Sequence, residues 1–145
     1  MTRDETRYGI ILAFDFGLRR IGIAAGNSLT RSATALTTLK TRDGEPPWGG
    51  IDRLIADWSP VQLVVGKPEA TIPGAISRQA TGFSTALAER YGLPVARIDE
   101  AHTSAAAVTE LKEARRSGLR RRPILKENID SHAARLIAEQ FLSSR

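Results

Sequence analysis

The stretch that most constrains the fold lies near the start of the chain, where an apolar run is followed directly by a carboxylate. Residues 10–14 read IILAF, which is typical of a central strand covered on both faces. Asp15 follows where the pattern asks for another hydrophobic residue, and a buried charge needs a partner, a hydrogen-bond network or a metal ion. A second strand-like run, residues 21–25, comes after the basic pair Arg19 and Arg20. The sequence therefore predicts a hairpin with Asp15 at its bend.

The rest of the chain alternates between strand-like and helix-like segments. Strands are predicted over residues 33–40, 61–66 and 93–99, and helices over 48–58, from 76 to about 91, over 103–117 and over 128–142. Turn-rich segments at 41–47 and 67–74 connect them. An initial meander followed by alternating units predicts a mixed α/β sheet with helices on both faces. We expect residues 8–145 to form a single domain and residues 1–7 a mobile tail.

Charge points to a polyanionic partner. Lys and Arg number 21 against 16 acidic residues, giving a net charge of +5 and an isoelectric point near 10.2. One segment between residues 115 and 126 holds six basic residues and no acid, and it is either a solvated loop or a phosphate contact: Arg115, Arg116, Arg120, Arg121, Arg122 and Lys126. Aromatic residues make up only 6% of the chain, which argues against a stacking platform as the main binding device.

Several protein classes are excluded or disfavoured by composition and motifs. The chain has no cysteine, so it has no disulfides, thiolate zinc sites or thiol catalysis, which fits the cytoplasm. No apolar run approaches the ~20 residues of a membrane span, and no secretory signal precedes the first strand. Phosphate-loop, serine-hydrolase, zinc-protease and dinucleotide fingerprints are absent from the sequence.

Three carboxylates stand out because each lies at the end of an apolar element. Asp15 ends the first strand, Glu100 follows the strand at 93–99, and Asp130 begins the last predicted helix. Asp130 shares a helical face with apolar residues, so it points toward the sheet: Ala133, Ala134, Ile137 and Phe141. Oxygen ligands in such a cluster suit Mg²⁺ or Mn²⁺, and with a basic surface nearby they suggest phosphodiester hydrolysis.

Simpler interpretations stay open for two of these acids and for both histidines. Asp130 also suits the first turn of a helix capped by Asn128, through the helix macrodipole alone. Glu100 could be a loop acid paired with an arginine. His102 lies near Glu100 and His132 two positions after Asp130, and neither is assigned a catalytic role.

These blocks together resemble a known family, the YqgF (RuvX-like) nucleases of the ribonuclease H-like superfamily. The similarity covers residues 10–142 and rests on four segments: AFDFGLRRIGIA, VVGKP, IDE followed by TS, and IDSHAARLIAEQFL. It implies a ribonuclease H-like α/β fold with a mixed five-stranded sheet and a divalent-metal nuclease site made of Asp15, Glu100 and Asp130. It also implies a role in maturing the 5′ end of pre-16S rRNA, the family having also been described as Holliday junction resolvases.

The chain departs from the family pattern at two places. Ala101 stands where the family has an arginine after the Asp-Glu pair, so phosphate contacts would fall to Arg19, Arg20, Lys67 or the basic segment 115–122. The loop after Pro68 also lacks the family's polar stretch, which leaves its role in substrate contact open.

Four functions compete at this point. The leading one is a metal-dependent nuclease acting on structured RNA, and the second is the same chemistry on branched DNA, which calls for a homodimer rather than a monomer. A nucleic-acid-binding module without catalysis is the third. The fourth, a sugar-kinase or actin-like ATPase, is disfavoured because such proteins enclose the nucleotide between two domains of this kind.

Overall fold

A five-stranded mixed sheet forms the centre of the protein. The computed structural model describes residues 9–42, 45–67, 75–99 and 126–143. Its strands are β1 (Ile10–Phe16), β2 (Arg20–Asn27), β3 (Ser32–Lys40), β4 (Gln62–Lys67) and β5 (Val95–Asp99). The helices within these ranges are α1 (Trp48–Trp58), α2 (Ala75–Tyr91) and α3 (Lys126–Ser143). The predicted N-terminal tail, the helix at 103–117 and the basic segment at 115–122 lie outside the described residues.

The strand order brings the ends of three strands to one edge. The order is β3-β2-β1-β4-β5, with β1 antiparallel to β2 and parallel to β4, which is in turn parallel to β5. The carboxyl ends of β1, β4 and β5 therefore share one edge of the sheet, where loops from distant parts of the chain converge. The predicted mixed five-stranded sheet is confirmed.

Side chains on β1 alternate between two cores, one on each face of the sheet. Leu12, Phe14 and Phe16 pack toward α1 and α2, whereas Ile11 and Ala13 pack toward α3. We call these the α1–α2 face and the α3 face. Helices thus cover both faces, as the alternation of elements predicted.

The α3 face is built from small residues on β2. Gly22, Ala24 and Gly26 are register partners of Asp15, Ala13 and Ile11, respectively. A methyl group at Gly26 would lie 2.9 Å from Cγ1 of Ile11 and 3.2 Å from Cδ1 of Leu142. Because these three residues of β2 have small side chains or none, α3 approaches this face of the sheet closely.

Aromatic rings dominate the opposite, α1–α2 face. Phe83 of α2 lies 5.7 Å from Phe14, 5.1 Å from Phe16 and 5.9 Å from Trp48 between ring centroids. Both tryptophans of the chain, Trp48 and Trp58, pack against this core.

An ion pair joins α1 and α2 at the surface of this core. Arg90 donates from Nε and Nη2 to the two carboxylate oxygens of Asp52, at 2.9 and 2.7 Å. The hydroxyl of Tyr91 also donates to Asp52, at 2.6 Å. Hydrogen bonds from Arg90 and Tyr91 hold the pKa of Asp52 at about 2.

Three of the predicted boundaries that differ from the structure concern the candidate site. β1 continues to Phe16, so Asp15 lies inside the strand and not at the bend, because the apolar pattern resumes after the acid. Lys67 is the last residue of β4, not the first of a loop. α3 begins at Lys126, so Asn128 is a helical residue and not the cap. Lys and Glu are good helix formers and extend the helix upstream of its apolar stripe.

In the part of the chain that the structure describes, no helix combines the length and hydropathy that a membrane crossing needs.

Candidate functional site

The carboxylate of Asp15 lies near the carboxyl end of the central strand, in an almost buried position. The residue is only 8% exposed. Its register partners on the two neighbouring strands are both glycines, Gly22 on β2 and Gly66 on β4. Partners in register point to the same face of a sheet, so the positions directly beside Asp15 on both neighbouring strands carry no side chain.

Gly22 brings the backbone of α3 onto this part of the sheet. A Cβ atom built at Gly22 would overlap the carbonyl group of Asp130. Only glycine permits this contact, because any side chain at position 22 would push the helix away. Asp15 lies directly across from Gly22, and antiparallel partners have Cα atoms about 4.5–5.5 Å apart. Asp15 and Asp130, separated by 115 positions in the chain, are therefore both neighbours of Gly22.

Asp130 is held by an arginine from β2. Nε of Arg20 donates to Oδ2 of Asp130 at 2.8 Å, and the two side chains are 26% and 24% exposed. Arg20 lies two residues before Gly22 and so points to the same face of the sheet. The prediction that Asp130 faces the sheet is confirmed by this contact. Asp130 is the fifth residue of α3, one turn inside it, which argues against a role limited to the first turn.

The other predicted residues are distributed along the same edge or beyond the described chain. Arg19 is exposed in the turn between β1 and β2. Lys67 ends β4 and is paired in register with Asp99, the last residue of β5. Glu100 follows β5 immediately in sequence and lies outside the described residues, as does every arginine of the predicted basic segment: Arg115, Arg116, Arg120, Arg121 and Arg122.

The donors around Gly22 are of the type that hard divalent cations prefer. Asp15 and Asp130 offer carboxylate oxygens, and the chain has no thiolate with which to select a softer metal. Within residues 9–42, 45–67, 75–99 and 126–143, no group of three or more acidic or histidine side chains is placed to hold a metal ion. Of the three predicted ligands, Asp15 and Asp130 lie in the described part of the chain and Glu100 does not.

Sequence reasoning missed Gly22, the residue on which the convergence depends. A signal was available, because residues 22, 24 and 26 of β2 are all Gly or Ala, and small residues on one face of a strand indicate close packing of another element. His132 received no catalytic role from the sequence, and in the structure its Nε2 lies 3.0 Å from Nη2 of Arg135, one turn along α3.

Comparison with solved structures identifies the fold class of the protein. The chain superimposes on Thermus thermophilus RuvC in complex with a Holliday junction substrate with a TM-score of 0.57, at 18% identity, covering 95% of this chain and 96% of that one. Fowlpox virus resolvase, also in complex with Holliday junction DNA, gives a TM-score of 0.54 at 11% identity, covering 93% and 97%. The fold is therefore that of the ribonuclease H-like proteins, which confirms the predicted fold class.

The family follows from sequence similarity over nearly the full length. The chain belongs to the RuvX family, described as Holliday junction resolvase, whose model matches residues 9–144. A relative from Dechloromonas aromatica is 41% identical over 138 residues, which is 94% of this chain and 92% of that protein. Another from Coxiella burnetii is 41% identical over 142 residues and 94% of each chain. Both carry the name "Putative pre-16S rRNA nuclease".

Proposed function

We propose that this protein is a divalent-metal-dependent nuclease that hydrolyses phosphodiester bonds in precursor 16S rRNA during 5′-end maturation, in the cytoplasm. The observation that carries the proposal is the convergence of Asp15 and Asp130 on Gly22 at the carboxyl edge of the sheet. Family membership and the names of the relatives support the substrate.

Three carboxylates hold the cation in this proposal: Asp15, Asp130 and Glu100. Bound Mg²⁺ or Mn²⁺ would supply Lewis-acid stabilisation of charge on the phosphate and activation of water. Asp15 is fixed in position because its strand is paired on both sides. Arg20 keeps the Asp130 carboxylate oriented at the base of α3, and a site on rigid elements holds its geometry better than one on loops.

Phosphate contacts come from the cations around this edge. Arg19 is exposed in the turn after β1, Lys67 ends the neighbouring parallel strand, and the basic segment 115–122 adds further arginines from outside the described residues. Binding through such contacts weakens with salt, by roughly one released counterion per neutralised phosphate. Nε of Arg20 is already bound to Asp130, so its phosphate contact is proposed for the remaining guanidinium nitrogens.

The experiment compares Asp15→Asn with a matched control. Asp57→Asn makes the same chemical change at an exposed position of α1, on the other face of the sheet. With Mg²⁺ and a precursor rRNA fragment, we expect Asp15→Asn to lose about 1,000-fold or more in cleavage rate, as when one member of a catalytic unit is removed. Asp57→Asn should cleave at the wild-type rate. Undiminished cleavage by Asp15→Asn would contradict the proposed mechanism.

Branched DNA is the second candidate substrate, favoured by the description of the family itself. Cutting two strands of a four-way junction calls for two symmetric sites, and therefore a homodimer, whereas single-strand RNA trimming requires only a monomer. Parallel assays of a precursor RNA and a junction DNA, with the oligomeric state measured at the same protein concentration, decide between the two. Faster cleavage of the junction by a dimer would favour the resolvase.

A further inference from the structure

A cavity of about 510 Å³ opens beside the end of β1, on the α1–α2 face. Phe16 and Phe83 form its floor and are almost fully buried, Trp48 forms a wall, and Leu18 is 49% exposed at its mouth. Its volume falls within the range of small-ligand sites. Because neighbouring residues of a strand point to opposite faces, the cavity and the Asp15 carboxylate lie back to back at one edge of the sheet.

The mouth of the cavity is fixed by hydrogen bonds. Oγ1 of Thr41 donates to the carbonyl of Leu18 at 2.6 Å, and the backbone N–H of Thr41 donates to the carbonyl of Arg19 at 2.9 Å. These bonds tie the turn after β1 to the segment after β3. Two further polar side chains line the cavity, the carboxylate of Glu45 and the amide of Gln79. The cavity thus combines an apolar floor with three polar residues, Thr41, Glu45 and Gln79, of which Thr41 is held by hydrogen bonds.

Three exposed arginines lie next in sequence to residues that line the cavity. Arg19, Arg42 and Arg78 are exposed, and each is adjacent in sequence to a residue that lines the cavity. Among the described residues, none of the three forms an ion pair. An apolar cavity with exposed arginines next in sequence to its lining residues suits a nucleotide, whose base is flat and largely apolar and whose phosphate is anionic.

We infer that the cavity binds one unpaired nucleobase of the substrate strand whose scissile phosphate lies at Asp15. The inference rests on the proposed function and adds a specificity site to it. The base would contact the apolar floor, Glu45 would accept a hydrogen bond from its edge, and Gln79 could donate or accept one. The strand would cross the sheet edge past Arg19, which lies in the turn after β1. One base in one cavity is compatible with the low aromatic content of the chain.

Abasic scanning tests this inference directly. The probe is a set of fluorescent single-stranded RNA oligonucleotides of one sequence, each with a single abasic position, and binding is measured by anisotropy with EDTA present to prevent cleavage. A base-binding cavity predicts one position at which base removal weakens binding by roughly tenfold, since one stacked base contributes about 1–3 kcal/mol. A flat profile for a protein that binds and cleaves RNA would overturn the inference and leave the proposed function intact. Absence of both binding and cleavage would overturn both.

Two leucine substitutions show whether the position-specific effect comes from this cavity. Gly82 of α2 lines the cavity, whereas Gly49 of α1 does not. The two positions are otherwise matched, because both are exposed and a Cβ at either would meet no atom within 4 Å. We expect Gly82→Leu to remove the tenfold difference between the intact and abasic probes and Gly49→Leu to retain it. An unchanged profile in Gly82→Leu would overturn the assignment. A flat wild-type profile together with a changed oligomeric state in Gly82→Leu would identify a protein surface as the occupant.

Discussion

The two faces of the sheet are built by opposite means. On the α1–α2 face, large side chains fill the space between sheet and helices, with Phe83 in contact with three other rings. On the α3 face, glycine and alanine of β2 let the helix backbone touch the strand, and the contact at Gly22 sets Asp130 beside Asp15. The first face depends on buried volume, and the second depends on close approach. A substitution of equal size should therefore have different consequences on the two faces.

The largest effect on stability is expected on the α1–α2 face. Leu87 of α2 is fully buried there, and Leu87→Ala should reduce the free energy of unfolding by about 2–5 kcal/mol through lost burial and a cavity. Urea denaturation measures this loss. Cleavage per folded molecule should stay at the wild-type level, because Leu87 is remote from the carboxylates. A loss of cleavage at temperatures where the variant is fully folded would contradict the division between the faces.

Gly22→Ala on the α3 face is expected to reduce cleavage as well as stability. The added methyl overlaps the carbonyl of Asp130, so we expect a loss of about 1–3 kcal/mol in stability from overpacking. Cleavage by the folded protein should fall with it, since the helix must move away from Asp15. Gly49→Ala is the control, because a methyl there meets no atom and should stabilise α1 by about 0.5–1 kcal/mol. Normal cleavage by folded Gly22→Ala would show that close approach is not needed.

A smaller effect is expected for the ion pair that joins β2 to α3. Arg20→Gln should cost about 1 kcal/mol, because the pair is only three-quarters buried and part of its energy is screened. Arg135→Gln breaks a pair within α3, between Arg135 and Glu139, and should cost about 0.3–0.5 kcal/mol. Thermal unfolding at low and high salt measures both. Equal losses in the two variants would argue against a role for Arg20 in holding the helix to the sheet.

The smallest expected effect is a pH dependence of stability that comes from Asp52 on the α1–α2 face. The pKa of Asp52 is lowered from 3.8 to about 2, first by the hydrogen bond from Arg90 and then by that from Tyr91. A lowered pKa contributes stability that is present above pH 3.8 and is lost as the pH falls toward 2. The difference in urea midpoint between wild type and Asp52→Asn should therefore narrow over that interval. If the difference in urea midpoint stayed constant from pH 5 to pH 2, the hydrogen bonds from Arg90 and Tyr91 would not be stabilising the charged carboxylate of Asp52.

Local patterns predicted the sheet and the candidate carboxylates, because apolar runs and helical periodicity are properties of neighbouring residues. The run at residues 10–14 predicted the central strand, and the stripe through Ala133 and Ile137 predicted the buried face of α3. Contacts between distant residues were not predictable in this way. Gly22 and Asp130 meet only once the helix has docked, and the Arg20 ion pair spans 110 positions. The cavity likewise depends on how α1 and α2 pack beside the turn after β1.

Binding of a divalent cation is the most direct test of the account. Mn²⁺ is titrated into wild type, Asp15→Asn and Asp57→Asn, with the free ion followed by electron paramagnetic resonance and no nucleic acid present. We expect wild type and Asp57→Asn to bind Mn²⁺ equally and Asp15→Asn to bind at least about tenfold more weakly, since Asp15 is proposed as a direct ligand. Equal affinity in all three proteins would contradict the claim that Asp15 and Asp130 converge to hold a cation.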